Sequence, residues 1–235
     1  MYGYFQYLVF IFPALLLGFW AQFLVKSRFD KFSKIASRRG MTGADAARAV
    51  LNAGGVYNVA VGRISGNLTD HYDPRNNTIS LSDTVYGNRS VAAIGVAAHE
   101  AGHALQYAEG YSPIKLRMAI LPACKIGSSI GPLLIILGCF ISYAGAASVE
   151  LGQLIYLAGL VLFGMVAVFQ LLTLPVELDA SKRALRALEQ GSMLDGTELA
   201  GAKKVLTAAA LTYVAALVTS IMQILYYASR FKPRD

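Results

Sequence analysis

The chain holds three histidines in 235 residues, and two of them stand four positions apart in His99-Glu100-Ala101-Gly102-His103. On a helix, side chains four apart share one face, so both imidazoles can reach a single ion. Glu100, turned about 100° from His99, can reach a water on that ion without ligating it. This is the His-Glu-x-x-His (HExxH) arrangement, in which the glutamate serves as general base for hydrolysis. The plainer alternative is a hydrogen-bonded histidine pair in a helical core with no metal.

A catalytic centre of this kind uses three protein ligands and keeps one position open. Glu177 is the candidate for the third ligand. On a helix it shares a face with Ser181, Ala184 and Leu188, whereas Asp179 falls on a face with Lys182, Arg183 and Arg186 that reads as solvated. A carboxylate on an inward face needs a partner, and a metal would supply one. Favourable placement at a helix N-terminus is the competing explanation. Asp195 and His71 are rival ligands. Asp195 sits in a polar loop where it could cap the following helix, and His71 stands in Asp70-His71-Tyr72-Asp73, which leads into a turn. Two imidazoles and a carboxylate favour Zn2+ over calcium or magnesium, which prefer all-oxygen ligands.

These residues need elements to hold them. Ser90 is placed to cap a helix over 91–109 that stops at Gly110. Thr42 with Asp45 forms the pattern of a capping box, predicting a helix over 43–53. Strands are expected at 56–64, 68–72 and 78–82, with Asp73-Pro74-Arg75-Asn76-Asn77 as the turn between the last two. The alternation in Ile79-Ser80-Leu81-Ser82 suits an edge strand. Pro175 is expected to open a helix over 176–190.

Around this polar part lie uncharged runs at 4–25, 126–147, 151–174 and 205–228. Each is long enough to cross a hydrocarbon core about 30 Å thick. The composition agrees, with 55% hydrophobic and only 15% charged residues, against about 25% charged in soluble domains. The net charge of +7 follows the spans and gives no reason to expect nucleic acid. Lys26, Arg28, Lys31, Lys34, Arg38 and Arg39 crowd behind the first run, as a basic helix along the headgroups. Lys182, Arg183, Arg186, Lys203 and Lys204 lie between the third and fourth runs. Positive residues stay cytoplasmic, so the N-terminus faces outward and both polar loops face the cytoplasm. Arg230, Lys232 and Arg234 run against that rule unless the fourth run does not span.

His-Glu-Ala-Gly-His followed by Ala-Leu-Gln, with Asp70-His71-Tyr72-Asp73-Pro74 before it and Pro175-Val176-Glu177-Leu178-Asp179-Ala180-Ser181 after it, resembles the bacterial membrane-bound neutral zinc metallopeptidases, the YugP-like family. The resemblance covers nearly the whole chain and implies a zinc peptidase with a cytoplasmic site. More distantly the chain is similar to the gluzincins, where an acidic residue four positions after the glutamate ligand orients a histidine. Ser181 occupies that position here, which leaves the orienting role open. The gluzincin pattern also implies an edge strand beside the metal to pair with substrate backbone, for which 78–82 is the candidate.

The expectation is therefore an α+β membrane protein, with about four transmembrane helices and a small zincin-like HExxH protease domain formed by cytoplasmic loops. Its parts would be an anchor at 1–25, a cytoplasmic domain at 26–125, a transmembrane hairpin at 126–174, a helix carrying the third ligand at 175–204, and a last span and tail at 205–235. Polypeptide substrate and the lipid bilayer are the expected partners, in the bacterial plasma membrane. An intramembrane site-2-type protease and a non-catalytic, metal-stabilised scaffold or chaperone are the alternatives. His71, Tyr72, Tyr86 and Tyr107 are available to stabilise an oxyanion.

Overall fold

The computed structural model describes residues 2–143 and 148–230, and it is mostly helical with one small sheet. In chain order the elements are α1 (Tyr2–Phe32), α2 (Gly43–Ala53), β1 (Ala60–Ile64), β2 (His71–Asp73), β3 (Thr78–Ser82), α3 (Val91–Ala108), α4 (Ser112–Tyr143), α5 (Val149–Gln190) and α6 (Gly196–Arg230). Helices α1, α4, α5 and α6 each contain a stretch long and apolar enough to cross a membrane. The chain divides into two compact units, one made of residues 1–20, 116–174 and 213–235, the other of residues 21–115 and 175–212.

The second unit holds the sheet. Thr42 and Asp45 form the capping box in full: the Asp45 amide donates to Thr42 Oγ1 and the Thr42 amide donates to Asp45 Oδ2, both at 3.1 Å. The helix they start, α2, buries Ala46, Ala47, Val50 and Leu51. In the sheet the order is β1-β3-β2, with β1 parallel and β2 antiparallel to β3. The expected free edge at 78–82 is therefore corrected. Both sides of β3 carry ladder bonds, with Ile79 set between Val61 and Tyr72. Alternation is equally compatible with a central strand, because it reports which face is buried and not which edge is paired. Ile79 and Leu81 are wholly buried.

Helix α3 is the centre of this unit. From Val91 to Gln106 every residue except Val96 and His99 is buried. Its small residues permit that burial by letting neighbouring backbones approach. A Cβ on Gly102 would collide with the Ala180 carbonyl, and one on Gly95 would lie 3.2 Å from the Ala202 Cβ. The glycine inside the His-Glu-Ala-Gly-His sequence is thus what allows the second half of α5 to sit against the histidines. Ser90 caps α3 by accepting from the Ala93 amide at 3.2 Å.

In the first unit, α4 and α5 approach along glycines. A Cβ on Gly138 would fall 2.5 Å from the Tyr156 nitrogen, and one on Gly159 would fall 2.8 Å from both the Gly131 carbonyl oxygen and the Ile135 nitrogen. Buried Tyr156 donates its hydroxyl proton to the Tyr227 carbonyl at 2.7 Å. The large apolar side chains Leu133, Ile136 and Phe140 point outward instead.

Two helix boundaries differ from expectation. Pro175 lies inside α5 and does not open a new helix. Proline removes its own N–H donor and crowds the carbonyl four residues before it, and a helix can pass through it where that freed carbonyl is accommodated. Residues 26–32 likewise complete α1 as one continuous helix, and Phe32 is buried in the core of the second unit. Only after Phe32 does the basic segment break into turns.

Candidate metal centre

The second unit brings His99, His103 and Glu177 together. One ligand atom from each lies within 4.8 Å of the others. His99 Nε2 is 3.2 Å and His103 Nε2 is 3.5 Å from Glu177 Oε2, and the two rings meet edge to face with centroids 4.7 Å apart. Ligands at about 2.0–2.1 Å from a tetrahedral zinc stand roughly 3.3 Å from one another. The observed spacing and the donor set both fit such an ion. Glu177 is 3% exposed, so its charge has no compensation from bulk water and requires close partners.

Each imidazole is held from behind by a neutral group. The Ser181 hydroxyl lies 3.1 Å from His99 Nδ1, so the orienting position left open by the sequence is filled by that serine. His103 Nδ1 lies 3.0 Å from Gln106 Oε1. Gln106 is fully buried, and its Nε2 donates at 2.8 Å both to the Val176 carbonyl and to Asp179 Oδ2. Asp179 in turn accepts from Arg183, which also pairs with Glu109. The reading of Asp179 as solvated is corrected: its neighbours along α5 are charged, but the partner that draws it inward belongs to α3. The three-residue spacing from His103 to Gln106 along α3 was the available signal for this contact, whereas the contacts of Gln106 with α5 lie beyond any local spacing.

Glu100 is buried beside the two histidines on α3. Burial acts to lower the His103 pKa, but Glu177, Glu100 and Gln106 together outweigh it and hold it above the usual histidine range. The imidazole therefore sits in a negative field suited to a cation.

The rival ligands lie in other contacts. His71 is exposed, with Nδ1 2.9 Å from the Thr69 carbonyl. Asp195 caps α6 by accepting from the Thr197 and Glu198 amides at 2.9 and 2.8 Å, and it pairs with Arg38 at 3.0 Å. These contacts hold its pKa below the usual carboxylate range. The Tyr72 hydroxyl donates to Asn77 Oδ1 at 2.6 Å, and its ring packs on Tyr107. Tyr86 packs against the hydrophobic core.

Among the described residues, four helices of membrane-crossing length and a His-His-carboxylate cluster fit for zinc define a class of protein: a helical chain with a candidate metal centre set among buried, polar second-unit contacts. The family described as "Putative neutral zinc metallopeptidase" matches residues 7–232, and the chain belongs to that family. It is also similar to the "Putative membrane protease YugP" of Bacillus subtilis (strain 168), with 44% identity over 218 residues, 93% of each chain. No solved structure matches.

Proposed function

We propose that this protein is a membrane-embedded zinc metallopeptidase that hydrolyses peptide bonds of membrane-associated or misfolded polypeptides. The observation that carries this reading is the convergence of His99 Nε2, His103 Nε2 and Glu177 Oε2 at ligand spacing, with Glu100 on the same helix. His99, His103 and Glu177 would hold the metal. A zinc ion there would polarise the scissile carbonyl and make water a stronger acid. Glu100 takes the proton from the attacking water and returns it to the leaving amine. Ser181 and Gln106 keep the two rings turned with Nε2 toward the centre.

A site among cytoplasmic loops is favoured over an intramembrane one by the surroundings of α3. That helix is enclosed by protein along almost its whole length and starts from a serine cap that follows a small sheet. The exposed apolar side chains of α4, by contrast, suit a lipid environment. The polar regions 26–125 and 175–204 make up the protease part in this reading, and the remaining helices anchor it.

The test is metal analysis with casein hydrolysis on purified protein. Wild type should carry one zinc and cleave. Glu100→Gln should keep zinc and lose hydrolysis, because only the proton acceptor is removed. His99→Ala, His103→Ala and Glu177→Ala should each lose stoichiometric zinc. Retention of zinc by Glu177→Ala with loss in Asp195→Ala would replace this ligand set.

A further inference from the structure

The buried amide of Gln106 has only one orientation that satisfies its surroundings. One end of it lies 2.8 Å from two oxygens, the Val176 carbonyl and Asp179 Oδ2. A carbonyl oxygen and a carboxylate held by Arg183 are both acceptors. Were the amide turned over, Oε1 would face two acceptors with no proton between them, in a place without exposure to water. A buried, unsatisfied arrangement of that kind is strongly disfavoured. The NH2 end therefore faces α5, and Oε1 faces His103 Nδ1 at 3.0 Å. An amide oxygen only accepts, so Nδ1 must carry a proton. Glu177 Oε2, 3.5 Å from Nε2, is an acceptor too and draws a proton to the other nitrogen while no metal is there.

We infer that Gln106 is a positioning residue that keeps a proton on His103 Nδ1, so that Nε2, turned toward Glu177, is the nitrogen left to a metal. The inference rests on the metallopeptidase reading for its purpose, though not for its geometry. It gives the α5 contacts a function as well. Val176 and Asp179 flank Glu177 in the chain and are the two acceptors that orient Gln106. The segment that supplies one ligand thus sets the tautomer of another. Arg183, bridging Asp179 and Glu109, ties the α5 end of this chain back to the end of α3. Metal-ligating histidines need such support on the ring nitrogen away from the metal, because it selects both tautomer and ring orientation. Here a neutral amide provides it where a carboxylate would add charge.

With three histidines in the chain, the tautomer can be read directly. Full-length protein labelled with 15N-histidine, in nanodiscs, metal-free and at mildly alkaline pH, gives a long-range proton–nitrogen correlation for each neutral ring. In Glu177→Ala protein, where no carboxylate faces Nε2, His103 should be the Nδ1–H form. Gln106→Met keeps the side-chain length and removes the acceptor. Combined with Glu177→Ala it should shift His103 toward the Nε2–H form that a free imidazole prefers, and alone it should weaken zinc binding about 10- to 100-fold in a chelator competition. Asp179→Ala leaves Val176 to orient the amide and should cost less than Gln106→Met. A His103 in the Nε2–H form in Glu177→Ala protein overturns the inference, and so does Gln106→Met protein that keeps wild-type zinc affinity. Should wild type bind no zinc, the metallopeptidase reading fails, and the metal-free spectrum still decides this one.

Discussion

The two units of this chain put the same kinds of residue to opposite uses. In the unit of residues 21–115 and 175–212, Val50, Ile79, Leu81 and Ile94 are completely buried. In the unit of residues 1–20, 116–174 and 213–235, Leu133, Ile136, Phe140, Leu154 and Val161 are 64–74% exposed, while Gly131, Gly138 and Gly159 fill the contact between α4 and α5. Burial of large apolar side chains away from water drives the first arrangement. In lipid that force disappears, and close packing of small residues takes over. Such a contrast is what different solvents around the two units would select. The polar cluster sits in the one where apolar burial does the folding.

A charge placed on each exterior gives the largest separation. Ile136→Lys puts an ammonium on the exposed face of α4, which costs about 2.5–3.5 kcal/mol if that face meets lipid near the bilayer centre. Tyr57→Lys, at a residue 79% exposed in the other unit, should change stability by no more than about 0.5 kcal/mol. The readout is the fraction of each variant that resists alkaline extraction from membranes. Equal, wild-type extraction of both variants would mean that the outward apolar face of α4 is not lipid-facing.

Close approach of helices is the one device the units share, and its loss should have an intermediate effect. Gly102→Ala drives a methyl into the Ala180 carbonyl, and Gly138→Ala brings one to 2.5 Å from the Tyr156 nitrogen. Overpacking of this sort costs about 1–3 kcal/mol, so both should melt earlier in detergent. Gly102→Ala should in addition weaken zinc binding, because α3 and α5 carry the candidate ligands. Gly164→Ala is the control, since a methyl there meets nothing within 4 Å, and alanine in a helix gains up to about 1 kcal/mol over glycine. If Gly102→Ala and Gly164→Ala melt alike, the contact across α3 and α5 is looser than described.

What could be read from the sequence was local. A four-residue spacing places His99 and His103 on one face, and the same arithmetic turned Glu177 inward with Ala184 and Leu188, all three now found buried. Capping residues located the starts of α2 and α3 because a cap acts within three positions. The misreadings concern partners distant in the chain. The central place of β3 depends on pairing with β1 some 18 residues earlier, which alternation does not encode. Asp179 looked solvated because its helical neighbours are cations, and only Gln106, 73 residues away, changes that. Pro175 suits a helix start as well as a tolerated interior position, and propensity does not separate them.

The smallest expected effect concerns pH, and it asks whether the second unit follows aqueous rules down to its surface. Hydrogen bonds from the Thr42 side chain and backbone hold the Asp45 carboxyl below its usual range, with Arg48 and Arg89 adding to them against some desolvation. A folded pKa below the unfolded value means that ionised Asp45 stabilises α2 above about pH 4, the ordinary carboxylate range. That contribution fades as the pH falls from there through the depressed pKa. A carboxylate in the first turn of a helix is worth about 0.3–1 kcal/mol, and the lower end applies because more than half of this side chain is exposed. Hydrogen exchange of the α2 amides in wild type and Asp45→Asn should show the full difference at neutral pH. The difference should narrow below about pH 4 as the wild-type carboxyl takes up its proton. Thr42→Ala removes the other half of the box and should cost about 1 kcal/mol at neutral pH. A gap between wild type and Asp45→Asn that stays constant through the acidic range would mean that Asp45 serves as an acceptor whose charge contributes nothing.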